Sequence, residues 1–153
     1  MTDVPPADRV VSASREVAAD AERIFELIAE PTQQPLWDGN DNLAQAASDQ
    51  RPHAVGDRFV MTTTRDNVRE NHVVEFEEGR RIAWMPSERD GEPFGQLWRW
   101  ELEPLGPGRT LVTHTYDWTR LPDDSPRVER ARATTADRLQ ASVDRLATLA
   151  EGS

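Results

Sequence analysis

Cysteine is absent from the 153 residues, which excludes a disulfide framework, a thiolate metal site and a thiol nucleophile. No apolar run approaches the roughly 20 residues that a membrane-spanning helix needs. Met1 to Asp8 carries Pro and Asp rather than a basic and then an apolar segment, so it does not read as a secretory leader and is expected to be flexible. These absences point to a cytoplasmic protein with no membrane span. No basic stripe is present either, and the formal net charge is -10; such a surface repels polyanions, which sets nucleic acid aside as a partner. No linker or internal repeat divides the chain, so residues 1–153 read as a single domain. Tyrosine occurs once against five tryptophans, so the large rings are concentrated in the side chain with the most apolar area and one donor.

What is present has a clear order. Val10 to Val17 alternates as a strand does; Asp20 offers an N-cap to a helix with Ile24, Phe25 and Ile28 at helical spacing, and Pro31 stops it. Pro31 to Asp41 carries one large apolar pair, Leu36 and Trp37, and reads as a short helix or loop with a side chain to bury; Trp37 is expected to reach inward. Leu43 to Ala47 is a candidate short strand. Five strand-like runs follow, Arg58 to Arg65, Val68 to Phe76, Arg81 to Met85, Gln96 to Glu103 and Arg109 to Trp118, with turn signals between them. Ser125 and Pro126 then open a helix expected to run to about Ala150.

Hairpin rules supply registers. A two-residue turn at Asp66-Asn67 sets Met61 opposite His72 and Phe59 opposite Val74; a three-residue loop ending at Gly79 sets Val74 opposite Ile82 and His72 opposite Trp84. Closing the last hairpin over Pro104 to Gly108 sets Trp98 opposite His114, Trp100 opposite Val112 and Gln96 opposite Tyr116, with Trp118 extending the row. Even-numbered positions from His72 onward are thus expected inward and odd ones solvated. An antiparallel sheet with one aromatic face must cover it, and the C-terminal helix is the long element left to do so. Its apolar stripe, Leu139, Val143, Leu146 and Leu149 or Ala150, lies in its second half; in its first half the stripe shrinks to Ala131 and Thr135. Small residues opposite large rings satisfy both a cavity and a collapsed core.

This order, with "RVVSASREVAADAERIFELIAEPTQQPLW" at the start, "VGDRF" before the strands and "TLVTHTYDWT" ahead of the last helix, resembles the START-related helix-grip superfamily, and within it the bacterial polyketide cyclase/dehydrase branch often called SRPBCC. The resemblance spans nearly the whole chain. It implies an α+β fold, a curved antiparallel sheet of six to seven strands around a long C-terminal helix with one or two short helices after the first strand. It also implies a cavity between sheet and helix for lipids, quinones, polyketides or similar molecules, with catalysis in some members. No residue set here matches a catalytic set of that family.

The expected lining is therefore Trp37, Phe59, Met61, His72, Val74, Trp84, Gln96, Trp98, Trp100, His114, Tyr116 and Trp118, faced by Ala131, Thr135 and Leu139. His114 and Tyr116 are the candidates for proton transfer. His72 and His114 fall on strands three places apart, roughly 14 Å at the usual strand spacing, which argues against a direct dyad. His53 matches no metal-ligand spacing and Asp38, Asp41 and Asp49 do not follow the EF-hand pattern, so neither metal nor cofactor is expected. Arg127, Arg130, Arg132 and Arg138 fall on several faces of the last helix and read as solvated surface. Three functions remain open: binding of a small apolar, ring-containing molecule by a monomer or weak homodimer; a cyclase or dehydratase using the same pocket; and a chaperone-activator-like interaction module, which would need an exposed apolar patch.

Overall fold

The computed structural model describes residues 6–152. The expected flexible leader lies, for residues 1–5, outside the described residues; Pro6–Arg9 forms one 3-10 turn rather than a free end. Arg9 closes that turn onto the body of the protein. Its guanidinium stacks 4.6 Å from the Trp118 ring, donates to the Leu121 carbonyl at 2.9 Å and pairs with Asp123.

The strands are β1 (Val10–Val17), β2 (Leu43–Gln45), β3 (Arg58–Thr63), β4 (Val68–Glu77), β5 (Arg81–Ser87), β6 (Leu97–Gly106) and β7 (Arg109–Asp117). They pair antiparallel in the order β1-β7-β6-β5-β4-β3-β2, one curved sheet. Helices α1 (Ala21–Ala29) and α2 (Gln34–Trp37) follow β1, and α3 (Val128–Ala133) and α4 (Ala136–Glu151) close the chain. This is the α+β helix-grip arrangement. Asp20 precedes α1 with extended backbone but does not cap it; its carboxylate instead accepts from the Gly108 amide at 2.8 Å, tying α1 to the β6–β7 turn.

Four expectations about the sheet need correction. First, β3 and β4 pair Met61 with Arg69 and Phe59 with Asn71, not with His72 and Val74. The turn is wider than two residues, because Thr63 caps it through its backbone and hydroxyl bonds to Asn67. Second, a bulge between Val73 and Glu75 leaves Val74 unpaired and changes the phase of β4. On its C-terminal side Phe76 faces Ile82 inward as alternation requires. On its N-terminal side Val73 faces Trp84 and His72 faces Met85, so the odd residues Arg69, Asn71 and Val73 point inward. At β6–β7 the pairs are Trp98 with Tyr116 and Trp100 with His114. That is a shift of two from the expected register, which keeps every side chain on its expected face. Odd positions are not uniformly solvated. Ala83 is buried on the outer face, where Glu75 and Arg99, its two cross-strand neighbours, join above its small side chain at 2.7 and 2.9 Å.

The last helix is not continuous. Thr134 and Thr135 adopt extended backbone (ψ 91 and 169) between α3 and α4. Two adjacent β-branched residues resist the helix, and the Thr134 hydroxyl takes the Arg130 carbonyl at 3.0 Å, competing with the backbone ladder. Consequently, of these two pieces only α4 packs on the sheet as a long helix. Val143, Leu146, Ala147 and Ala150 meet Val17, Ile24, Phe25, Ile28, Ile82, Trp100, Leu102 and Val112 in one buried cluster. A smaller cluster joins Ala131 and Leu139 to Tyr116, Trp118 and Leu121.

The loop after α2 presses directly on α4. A Cβ on Gly39 would lie 2.6 Å from the Arg138 carbonyl oxygen and the Ser142 amide nitrogen, and the Gly39 amide donates to Ser142 Oγ at 2.8 Å. Gly39→Ala should therefore cost about 2–4 kcal/mol in urea denaturation, since backbone cannot yield as a side-chain tip does. Gly56→Ala, where φ is 97 but nothing lies within 4 Å, should cost only the about 1–2 kcal/mol of a left-handed residue. Equal losses at the two positions would contradict the close approach.

Candidate functional site

Where α4 stops covering the sheet, a cavity of about 790 Å³ opens between the strands, α3 and the loop after α2. Its size falls among ligand pockets, which run to roughly 300–1,000 Å³. Trp37, Met61, Trp84, Phe94, Trp98 and Tyr116 give it apolar and aromatic walls, and Gln34, Asn71, Gln96 and His114 add polar groups. The exposed residues Thr64, Arg65 and Asn67 of the β3–β4 turn and Glu129 and Arg130 of α3 mark its mouth.

One ring stack organises the wall. His114 lies between Trp100, 3.7 Å away at an interplanar angle of 12°, and Trp98, 5.6 Å away at 16°; Trp98 in turn meets Tyr116 at 4.1 Å. His114 Nδ1 is 3.0 Å from the Arg99 carbonyl. A carbonyl only accepts, so Nδ1 carries the proton and Nε2 is left as an acceptor. Burial pushes the His114 pKa down to about 3, against the smaller opposing effect of that hydrogen bond. A neutral imidazole of this kind accepts a hydrogen bond well, but as a general base near neutral pH it is several units too weak. Tyr116 is held protonated, since burial pushes its pKa up to about 12. Gln96 Nε2 donates to the Tyr116 hydroxyl oxygen at 2.8 Å, which leaves the phenolic proton for another acceptor. The wall thus presents one fixed acceptor and one free donor.

Of the residues expected to line the cavity, Trp37, Met61, Trp84, Gln96, Trp98, His114 and Tyr116 do so. Phe59, Trp100, Trp118, Ala131 and Leu139 do not; they are core. Phe59 packs edge-on against Trp84 at 5.3 Å and Trp100 against Trp37 at 5.1 Å, while Ala131 and Leu139 fill the space under Tyr116 and Trp118. Thr135 is exposed at the start of α4, a result of the helix break. His72 and Val74 lie off the cavity because of the bulge. Asn71, buried on the inward side of β4, was hidden by the same phase change. The doublet Val73-Val74, which interrupts polar alternation, is the signal that could have revealed it.

His72 belongs instead to an outer-face cluster with Glu70 and Ser87. Its Nε2 lies 2.8 Å from Ser87 Oγ and 3.8 Å from Glu70 Oε1. The residue types suggest a catalytic triad, but the geometry does not. Serine and carboxylate approach the same ring nitrogen, and the serine hydroxyl donates to the carbonyls of Glu70 and Glu88 at 3.2 and 2.7 Å. With its proton committed to the backbone, Ser87 Oγ accepts from His72 and is not activated by it. Among the described residues no three metal-ligating side chains converge, and no helix is long and apolar enough to cross a membrane.

Residues 8–151 match the family described as polyketide cyclase/dehydrase and lipid transport. The chain belongs to that family. It is 29% identical over 111 residues to an uncharacterized protein of Mycobacterium tuberculosis, a match covering 71% of this chain and 47% of the relative. It thus spans about half the length of the curated relatives it matches. A START superfamily protein from Mycobacterium smegmatis shares 26% identity with a TM-score of 0.61, over 92% of this chain and 98% of the other. A Nitrosomonas europaea protein reaches a TM-score of 0.68 at 16% identity, over 95% and 96% of the two chains, a likeness of fold alone.

The buried imidazole makes a stability prediction. The folded pKa of His114 is depressed to about 3 while an unfolded histidine titrates near 6.5. On acidification the unfolded chain therefore takes up the proton first. The His114 contribution is complete above about pH 6.5 and is lost as pH falls toward 3. Between pH 7 and pH 5 the wild type should lose about 2 kcal/mol more than His114→Asn, in which no group titrates there. Parallel pH profiles for the two proteins, or a His114 ring that titrates by NMR near pH 6, would show that the imidazole is not held neutral.

Proposed function

We propose that this chain is a binding protein for a small, ring-containing, largely apolar molecule, held in the cavity between β3–β7 and α3. The observation that carries the reading is the wall itself: stacked or edge-on rings at Trp37, Trp84, Trp98 and Tyr116 beside an open volume, with a few oriented polar groups among them. Membership of a family of polyketide cyclases, dehydrases and lipid-transport proteins supports it. A ligand would lie against Trp84 and Trp98, give a hydrogen bond to His114 Nε2 and receive one from Tyr116. Binding is favoured over turnover by the weak basicity of His114 and by the weakened acidity of the buried Tyr116 hydroxyl. The interaction-module reading has less support. Among the described residues the exposed large apolar side chains are Val10, Leu36, Val55 and Leu105, one each on four separate segments of the chain.

Quinones, fused-ring compounds and fatty acids should quench tryptophan fluorescence, because three of the five tryptophans line the cavity. Trp98→Ala should weaken the best ligand at least about tenfold at modest cost in stability, since Trp98 is only half-buried. Trp100→Ala, in the solid core, should cost about 3–5 kcal/mol of stability. If no compound quenches or raises the melting temperature, the binding reading fails. A reaction abolished in His114→Asn with binding intact would replace it with the cyclase or dehydratase reading.

A further inference from the structure

Of the four arginines expected to be scattered over the surface, Arg127, Arg130 and Arg138 line the cavity, while Arg132 stays on the exposed surface. Arg127 and Arg130 of the α3 region meet Arg69 of β4 at its mouth, with Arg65 and Arg138 completing the positive rim. Two of these guanidiniums share one ring, Arg127 at 3.5 Å and Arg69 at 5.4 Å from the Phe94 centroid. In a chain with a net charge of -10, such a gathering needs an explanation.

Internal pairing does not supply one. The acids of the lining are largely taken up elsewhere: Asp38 accepts from the amides of Asn40, Asn42 and Leu43 at 3.1, 2.7 and 3.0 Å, and Asp41 is paired with Arg145 at 2.8 Å. Glu129 is exposed at the mouth. Arg130 donates to the neutral Asn42 side chain at 2.6 Å. Arg127 reaches Glu88 only at 4.0 Å, and that carboxylate is largely solvated. Arg69 donates to the carbonyl of its own neighbour Val68 at 3.1 Å and has no ion pair among the described residues. Burial lowers the Arg69 pKa; repulsion from Arg127 and Arg130 lowers it further, and Glu88 opposes them. Positive charge is held together here against its own repulsion, with few anions of the protein to neutralise it.

We infer that the ligand is amphipathic and anionic, a polycyclic or aromatic carboxylic acid whose rings lie against Trp84 and Trp98 and whose carboxylate is received by Arg69 and Arg127. The inference rests on the binding reading above and adds a charge to the ligand. Guanidinium suits this role because its planar fork can take both oxygens of a carboxylate, and Phe94 fixes the plane of the fork before the ligand arrives. The rim also solves an entry problem, since an organic anion approaching a strongly acidic protein meets a locally positive mouth.

The test uses a matched pair of probes, 1-pyrenebutyrate and 1-pyrenebutanol, titrated into the full chain with energy transfer from tryptophan to pyrene as the signal. Wild type should bind the carboxylate at least about tenfold tighter than the alcohol, and the preference should shrink as salt rises. Arg69→Gln, and separately Arg127→Gln, should remove most of that preference while leaving the affinity for the alcohol within about twofold. Arg80→Gln in the β4–β5 turn, away from the cavity, should leave the preference unchanged and controls for net charge. Equal wild-type affinities for acid and alcohol would overturn the anionic inference while the binding reading stood. So would equal losses for both probes in both rim variants, or an Arg80→Gln effect as large as theirs. Binding of neither probe would count against the binding reading itself, and the inference would fall with it.

Discussion

The concave face of the sheet is larger than the helix that covers it, and the site follows from that mismatch. An antiparallel sheet can leave one face to water, but a face carrying Trp84, Trp98, Trp100, Tyr116 and Trp118 cannot be left so without a large cost in exposed apolar area. Over one half of the face α4 and α1 close a solid core. Over the other half the helix breaks at Thr134–Thr135, and α3 lies across the opening without filling it. The cavity is therefore held open by secondary structure, because the C-terminal segment is divided into the six-residue α3 and the longer α4 rather than forming one helix with a continuous apolar stripe.

Burial also sets the chemistry of the wall. His114 is packed between indole rings, so its charged form is destabilised and its proton is fixed at Nδ1 by the Arg99 carbonyl. The same β6 strand that supplies Trp98 and Trp100 as stacking partners thus supplies the backbone oxygen that selects the tautomer. Trp100 meets a cost in that arrangement. Its indole Nε1 is buried with no hydrogen-bond partner among the described residues, and its ring contacts with Trp37 and His114 hold it there.

How much of this could be read from residues alone depends on whether local pattern or long-range packing decides. The strands of the meander, α1 and the inward face of β6 and β7 are legible because alternation and turn signals are local, and an error of two in the last register left every ring on its face. The bulge at Val74 is a single unpaired residue that the Val73-Val74 doublet only hints at, and the partner strands are what locate it. Two adjacent β-branched residues disfavour a helix only slightly, so local pattern carries the last helix through Thr134 and Thr135, where the folded chain breaks it. The convergence of Arg69 with Arg127 links positions 58 residues apart in sequence, which spacing on one helix could not reveal.

The bulge has the furthest consequences. With unbroken alternation from Phe76 back along β4, the inward residues would be Val74, His72 and Glu70, placing a carboxylate and a second histidine on the cavity side and sending Arg69 and Asn71 to the outer face. One unpaired residue exchanges those two sets. Glu70 then meets Arg58 at 3.2 Å and lies near His72 on the outer face, while Arg69 joins Arg127 beside Phe94. The change of phase at Val74 thus puts Arg69 rather than Glu70 on the side of Arg127 and adds to the positive charge that Arg65, Arg130 and Arg138 bring to the mouth. A β-bulge beside a site re-aims side chains at little cost in strand pairing; here it re-aims a whole half-strand, and the polarity of the cavity changes with it.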